Sequence, residues 1–165
     1  MVGFPKTFES HKDYLHIIKM IDFGLAQKYL DAQGNHIPAV REKYFQGNLI
    51  FASKHCFNLV THSRRDDLIS LSYLLLYLID GDLAFLAADD DQNGASEANN
   101  GFNHAEFKRI RKLKNKLTPA MLCESKEAKT LLPFMEEIFS YEFDQTPNYF
   151  KLASILLQCL TKEGK

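Results

Sequence analysis

The sequence predicts one mainly α-helical domain with a single short strand near its start. Three observations predict it. Residues 67–78 are apolar on nearly every face (Leu68, Ile69, Leu71, Leu74, Leu75, Leu76, Leu78), and a helix apolar all round is buried all round. Helical spacing returns at 105–116, 126–139 and 149–160, whereas only the isoleucine-rich stretch 15–21 reads as a strand. Finally, 165 residues with 45% hydrophobic and 25% charged side chains suit one folded domain, not a disordered or membrane chain.

The elements follow in order. The strand delivers Asp22 onto a Phe23-Gly24 turn. Residues 29–51, with Gly34-Asn35, Pro38 and Gly47 among mixed charges, read as a long irregular loop, and such loops inside compact domains are usually functional. Ser63 is a good helix N-cap, with Asp66 at capping-box spacing, so the central helix spans about 64–79. The acidic Asn/Gly-rich stretch at about 88–103 reads as a solvated loop, and helices occupy about 104–161. Pro119 and Pro147 sit near the starts of segments, where proline is tolerated.

Composition excludes several functions. A formal charge of -1 predicts no global attraction to nucleic acid or acidic membranes, so no specific nucleic-acid partner is expected. The longest apolar stretch, around 71–79, is about half of what a bilayer requires. Cys56, Cys123 and Cys159 are scattered, which fits reduced thiols, and the six histidines show no zinc-ligand spacing. The first residues lack the basic segment and apolar core of a secretory signal. These readings together predict an intracellular, cytoplasmic or cytoskeletal protein.

The residues that carry chemistry are Asp22-Phe23-Gly24-Leu25-Ala26, then His36-Ile37-Pro38, Gly47, Phe51-Ala52-Ser53 and Ser63-Arg64-Arg65-Asp66-Asp67-Leu68. Thr118-Pro119 and Phe143-Asp144 lie further on. This ordered series resembles the casein kinase I family of serine/threonine protein kinases, over nearly the whole chain but only for the back half of a kinase domain. The resemblance implies a kinase C-terminal lobe, with 22–53 as the activation segment and 64–79 as the central helix. It implies Asp22, Phe23 and Gly24 as the nucleotide-side turn and Asp22 as a magnesium ligand facing ATP. Apart from the resemblance, Asp22 is a turn aspartate accepting backbone hydrogen bonds.

The same resemblance exposes what is missing. Nothing matches the Gly-rich loop, the strand lysine or the H-R-D catalytic loop, and no catalytic residue is expected in this chain: base and catalytic-loop asparagine would lie upstream of Met1. The chain alone is therefore expected to bind neither ATP nor magnesium and to transfer no phosphate. Asn48 stands where the family carries a threonine facing the catalytic loop, and Ile50 where it carries an anion-binding arginine. Ser72 for glycine and Phe85 for tryptophan are packing changes.

Asp67 is expected to brace the catalytic loop, or simply to favour a helix N-terminus by its charge. Arg64 and Arg65 are read as structural ion-pairing residues in preference to phosphate binders. The basic run at Lys108, Arg109, Arg111 and Lys112 is read as a solvated helix face with Ile110 and Leu113 buried beneath it, with docking of an acidic partner as the alternative. Two functions follow: the C-terminal lobe of a casein kinase I-like enzyme completed by further polypeptide, or a non-catalytic structural component of a larger assembly.

Overall fold

The computed structural model describes residues 19–83 and 104–162. Its elements are six α-helices: α1 (Lys54–Phe57), α2 (Arg64–Asp80), α3 (His104–Lys114), α4 (Pro119–Leu122), α5 (Leu132–Phe139) and α6 (Tyr149–Lys162), with a 3-10 turn at Ala128–Leu131 before α5. Residues 15–18 of the expected strand lie outside the described residues, as does the acidic loop at 88–103. Residues 19–21 are in no strand, and the described residues hold only two isolated antiparallel bridges, Leu30 to His36 and Arg41 to Val60. The long loop is irregular as its glycines, proline and charges predict.

The start and stop of α2 follow local chemistry. The Ser63 backbone N–H donates to Asp66 Oδ2 at 2.9 Å, satisfying a donor the helix cannot. At the other end Gly81 adopts φ 76° and returns its N–H to the Tyr77 carbonyl, a left-handed stop that suits glycine. Thr118 caps α4 by accepting from the Met121 N–H at 3.3 Å, with Pro119 in the first turn.

Leu68, Ile69, Ser72, Tyr73 and Leu76 form the buried stripe of α2, at helical spacing. Ile69, Tyr73 and Leu76 pack with Leu122, Leu131 and Met135, while Leu68 packs with Phe134, Ile138 and Leu152. A third cluster joins Ala52, Cys56 and Phe57 to Ile110 of α3, with Phe45 and Phe107 against it. The expectation that α2 is buried on every face is corrected: Leu71, Leu74 and Leu78 are 39%, 40% and 69% exposed. Composition reports that a face is apolar, not that something covers it. The expected 126–139 helix is also interrupted, because it begins as a 3-10 turn and carries Pro133 within the first turn of α5.

Candidate functional site

The uncovered face of α2 is one wall of a groove of about 590 Å3. Leu71, Leu74 and Ser70 line that wall; Met20, Ile21, Phe23 and Leu25 line the opposite side, and Asp22, Asp67 and His62 supply its polar groups. Met20, Phe23 and Leu25 are 81%, 66% and 71% exposed, which is high for large apolar side chains gathered in one place.

Asp22 stands at the mouth of this groove. Its φ is 62°, in the left-handed region, which aspartate visits more readily than most residues because its short polar side chain bonds locally. Here Oδ1 accepts the Gly24 N–H at 3.3 Å, and a Cβ on Gly24 would meet that same oxygen at 3.3 Å. Phe23 and Gly24 thus fold the chain back under the carboxylate, and the Ala26 N–H closes the turn on the Phe23 carbonyl at 3.0 Å. A backbone strained at a polar residue beside a groove is an arrangement common at functional sites. Magnesium is usually held by one or two carboxylates, with waters and substrate phosphates completing its six oxygens, and Asp22 offers one such carboxylate. Among the described residues no group of three or more His, Cys, Asp or Glu side chains comes together as a metal site.

Asp67 lies on the same groove, one turn inside α2, as the helix start predicts. It stands exposed at the rim, yet the protein around it raises its carboxyl above the ordinary value; Asp66 adds to that, and His62 opposes it. Arg64 and Arg65 diverge. Arg64 donates Nη2 to the Asp144 carbonyl at 3.3 Å and to Thr146 Oγ1 at 3.2 Å, with its guanidinium 4.4 Å from the Tyr29 ring centre. It therefore ties the loop before α6 to the long loop and pairs with no carboxylate there. Arg65 is buried, with Nε 3.8 Å from Asp66 Oδ1, the ion pair expected of this pair of arginines.

Asn48 and Ile50 have structural work in this chain. Asn48 Oδ1 accepts from the Ile50 N–H at 2.7 Å and from the Phe51 N–H at 3.3 Å, an Asx-type turn that a threonine builds less strongly. Ile50 is half-buried and packs against the main core, and it supplies no donor for an anion.

Sequence reasoning missed two groups. Ser53 Oγ donates to Asp66 Oδ1 at 2.5 Å and accepts the His55 and Cys56 N–H groups, both at 3.2 Å, so one buried hydroxyl caps α1 and locks it to α2. Asp66 at the capping position was the available signal. Lys114 lies within the basic run 108–116 but is fully buried, so the solvated face does not include it. Its Nζ donates to the Ile50 and Ala52 carbonyls, each at 2.6 Å, and lies 4.1 Å from the Tyr73 ring centre and 5.3 Å from that of Phe57. The available signal was its spacing, four residues after Ile110 on the buried stripe of the helix. The rest of α3 follows expectation: Ile110 is buried, Lys108 and Lys112 are exposed, Arg109 is bound to Glu106 at 2.8 Å, and Arg111 reaches Asn58 at 3.0 Å.

A Phe-Gly turn presenting a carboxylate, an irregular segment returning through Ser53, and a capped central helix with Asp67 in its first turn are consistent with the mainly helical C-terminal lobe of a protein kinase. Comparison with known proteins makes this specific. The chain is 34% identical over 140 residues to a probable casein kinase I homolog of Encephalitozoon cuniculi, covering 84% of this chain and 41% of that protein. It is 33% identical over 157 residues to a casein kinase 1-like protein of Oryza sativa, covering 94% of this chain and 20% of that protein. No protein-family model matches. This likeness to casein kinase I proteins runs over most of the chain and is consistent with the helical lobe described above. The chain spans about two fifths of the length of the first relative and a fifth of the second.

Proposed function

We propose that this chain is the C-terminal lobe of a casein kinase I-like serine/threonine protein kinase, competent for phosphoryl transfer from ATP only when further polypeptide supplies the catalytic base and the nucleotide pocket. The observation that carries the reading is the Asp22 turn at the mouth of an open apolar groove. Asp22 shares that groove with Asp67 and His62, and its apolar walls offer a surface on which the rest of a site can be assembled. In a complete form Asp22 holds its carboxylate on the nucleotide side, Gly24 allows the tight turn beneath it, and Asp67 braces the opposite wall. Magnesium and ATP enter this reading through the family likeness; the chain's own contribution is one oriented carboxylate. Its three free thiols support a reducing, cytoplasmic or cytoskeletal setting, and no helix among the described residues is long and apolar enough to cross a membrane.

The test has two arms. The chain alone should neither phosphorylate casein nor gain thermal stability from magnesium-ATP. Grafted in place of the matching region of an active casein kinase I homolog, it should restore phosphorylation, and Asp22→Asn should abolish that activity without lowering the melting temperature. A graft that folds but stays inactive favours the second reading, a non-catalytic component of an assembly. One observation supports that reading: Lys108, Arg111 and Lys112 present an exposed basic row suited to an acidic protein surface.

A further inference from the structure

We propose that Lys114 is a protonation-dependent clamp on residues 47–53, the segment that forms part of the groove wall. Gly47 and Phe51 line the groove, and between them and α1 the chain offers two inward carbonyls, Ile50 and Ala52. Lys114 reaches both from α3, at 2.6 Å each, across more than sixty residues of sequence. The segment has other ties: within itself, the Ala52 N–H to the Asn48 carbonyl at 2.9 Å and the Asn48 side-chain bonds; to distant residues, the Ser53 hydroxyl to Asp66 at 2.5 Å and the Phe51 ring 6.0 Å from that of Tyr77. The turn is locally self-consistent, and Lys114 is one of several links between it and the helical core, the one made by an amine.

The head of Lys114 lies in apolar and aromatic surroundings, and burial pulls its pKa from 10.5 down to about 7. The neighbours on the other elements stay silent above that pH. Burial raises the Cys56 thiol of α1 to about 11 and lifts the Tyr73 hydroxyl of α2 higher still. Burial, with help from Arg65, holds His55 of α1 down at about 4, and the Asp66 carboxylate is engaged by Ser53. The segment itself presents carbonyls and the Ser53 hydroxyl.

When the segment lifts, the Lys114 head reaches water and regains its ordinary affinity for a proton. The lifted state therefore binds more protons than the closed state between about pH 7 and 10.5, and closing becomes more favourable as pH rises. A neutral amine keeps two N–H groups, enough for both carbonyls, so deprotonation removes the cost of a buried charge without removing the bonds. The clamp is looser near neutrality and tighter above it.

Hydrogen exchange read by mass spectrometry on the chain, from about pH 7 to 9 and corrected for intrinsic base catalysis, tests this. The 47–53 peptide should exchange ahead of a core peptide covering 134–138. Its open fraction should fall by up to about tenfold per pH unit in the wild type. In Lys114→Met, a similar volume without donors, the segment should open more often and lose that pH dependence. An open fraction that is flat or rises with pH overturns the proposal. So does a 47–53 peptide that exchanges no faster than the core, or a Lys114→Met variant with the wild-type profile. Should Lys114→Met not fold, the wild-type profile and the comparison of the two peptides decide alone. The readout is the segment, not phosphoryl transfer, so failure of the kinase reading leaves this result interpretable.

Discussion

The two faces of α2 predict sharply different costs for the same substitution in the same helix. Leu76 is 1% exposed and packs with Ile69, Tyr73 and Met135, whereas Leu78 is 69% exposed and follows the groove-lining Leu71 and Leu74 at helical spacing. Leu76→Ala removes buried methyl groups and leaves a cavity among neighbours that relax only in part, a loss of about 2–5 kcal/mol. Leu78→Ala removes atoms already in water and should stay within about 0.5 kcal/mol. For a chain of this size each kcal/mol moves the melting temperature by about 2–4 °C, so the first variant should melt on the order of 10 °C lower while the second barely moves. Urea denaturation gives the same comparison through the midpoint, provided the slope is unchanged, since an altered slope signals a change in the denatured state. Equal losses in the two variants would refute the orientation assigned to α2 and with it the open groove. In a longer form that covers this face, the Leu78→Ala cost should instead approach that of Leu76→Ala.

Three further outcomes follow from the site. Ser53→Ala removes the donor to the buried Asp66 carboxylate and the acceptor that caps α1, and should cost about 1–3 kcal/mol by urea denaturation. His55 has its pKa lowered from 6.5 to about 4 in the folded chain, so the unfolded chain binds more protons between those values and stability should fall as pH drops from 6.5 towards 4; His55→Gln should flatten that part of a melting-temperature profile. Reversing Lys108, Arg111 and Lys112 together to glutamate should leave circular dichroism and melting temperature near wild type, because all three are exposed, while abolishing any salt-sensitive association with an acidic protein.

Much of this protein was legible in its residues because the signals are local. The turn at Asp22 needs a glycine two residues on, α2 begins where serine and Asp66 make a cap, and α4 begins where Thr118 precedes a proline. Such features depend on neighbours within four positions, so a sequence carries them whole, and the casein kinase I likeness rests on strings of that kind. Tertiary structure decided what depends on distant partners. Which of the leucines in α2 meet other helices depends on where α5 and the 3-10 turn pack, and no periodicity could say this in a helix apolar on every face. Lys112 and Lys114 are the same residue type but differ in place: Lys114 follows Ile110 by four residues and shares its face, and the fold sets it beneath the Ile50 and Ala52 carbonyls while Lys112 stays in water. Helical rotation of about 100° per residue makes that division, but only the packing of α3 against α1 sets which side is inside.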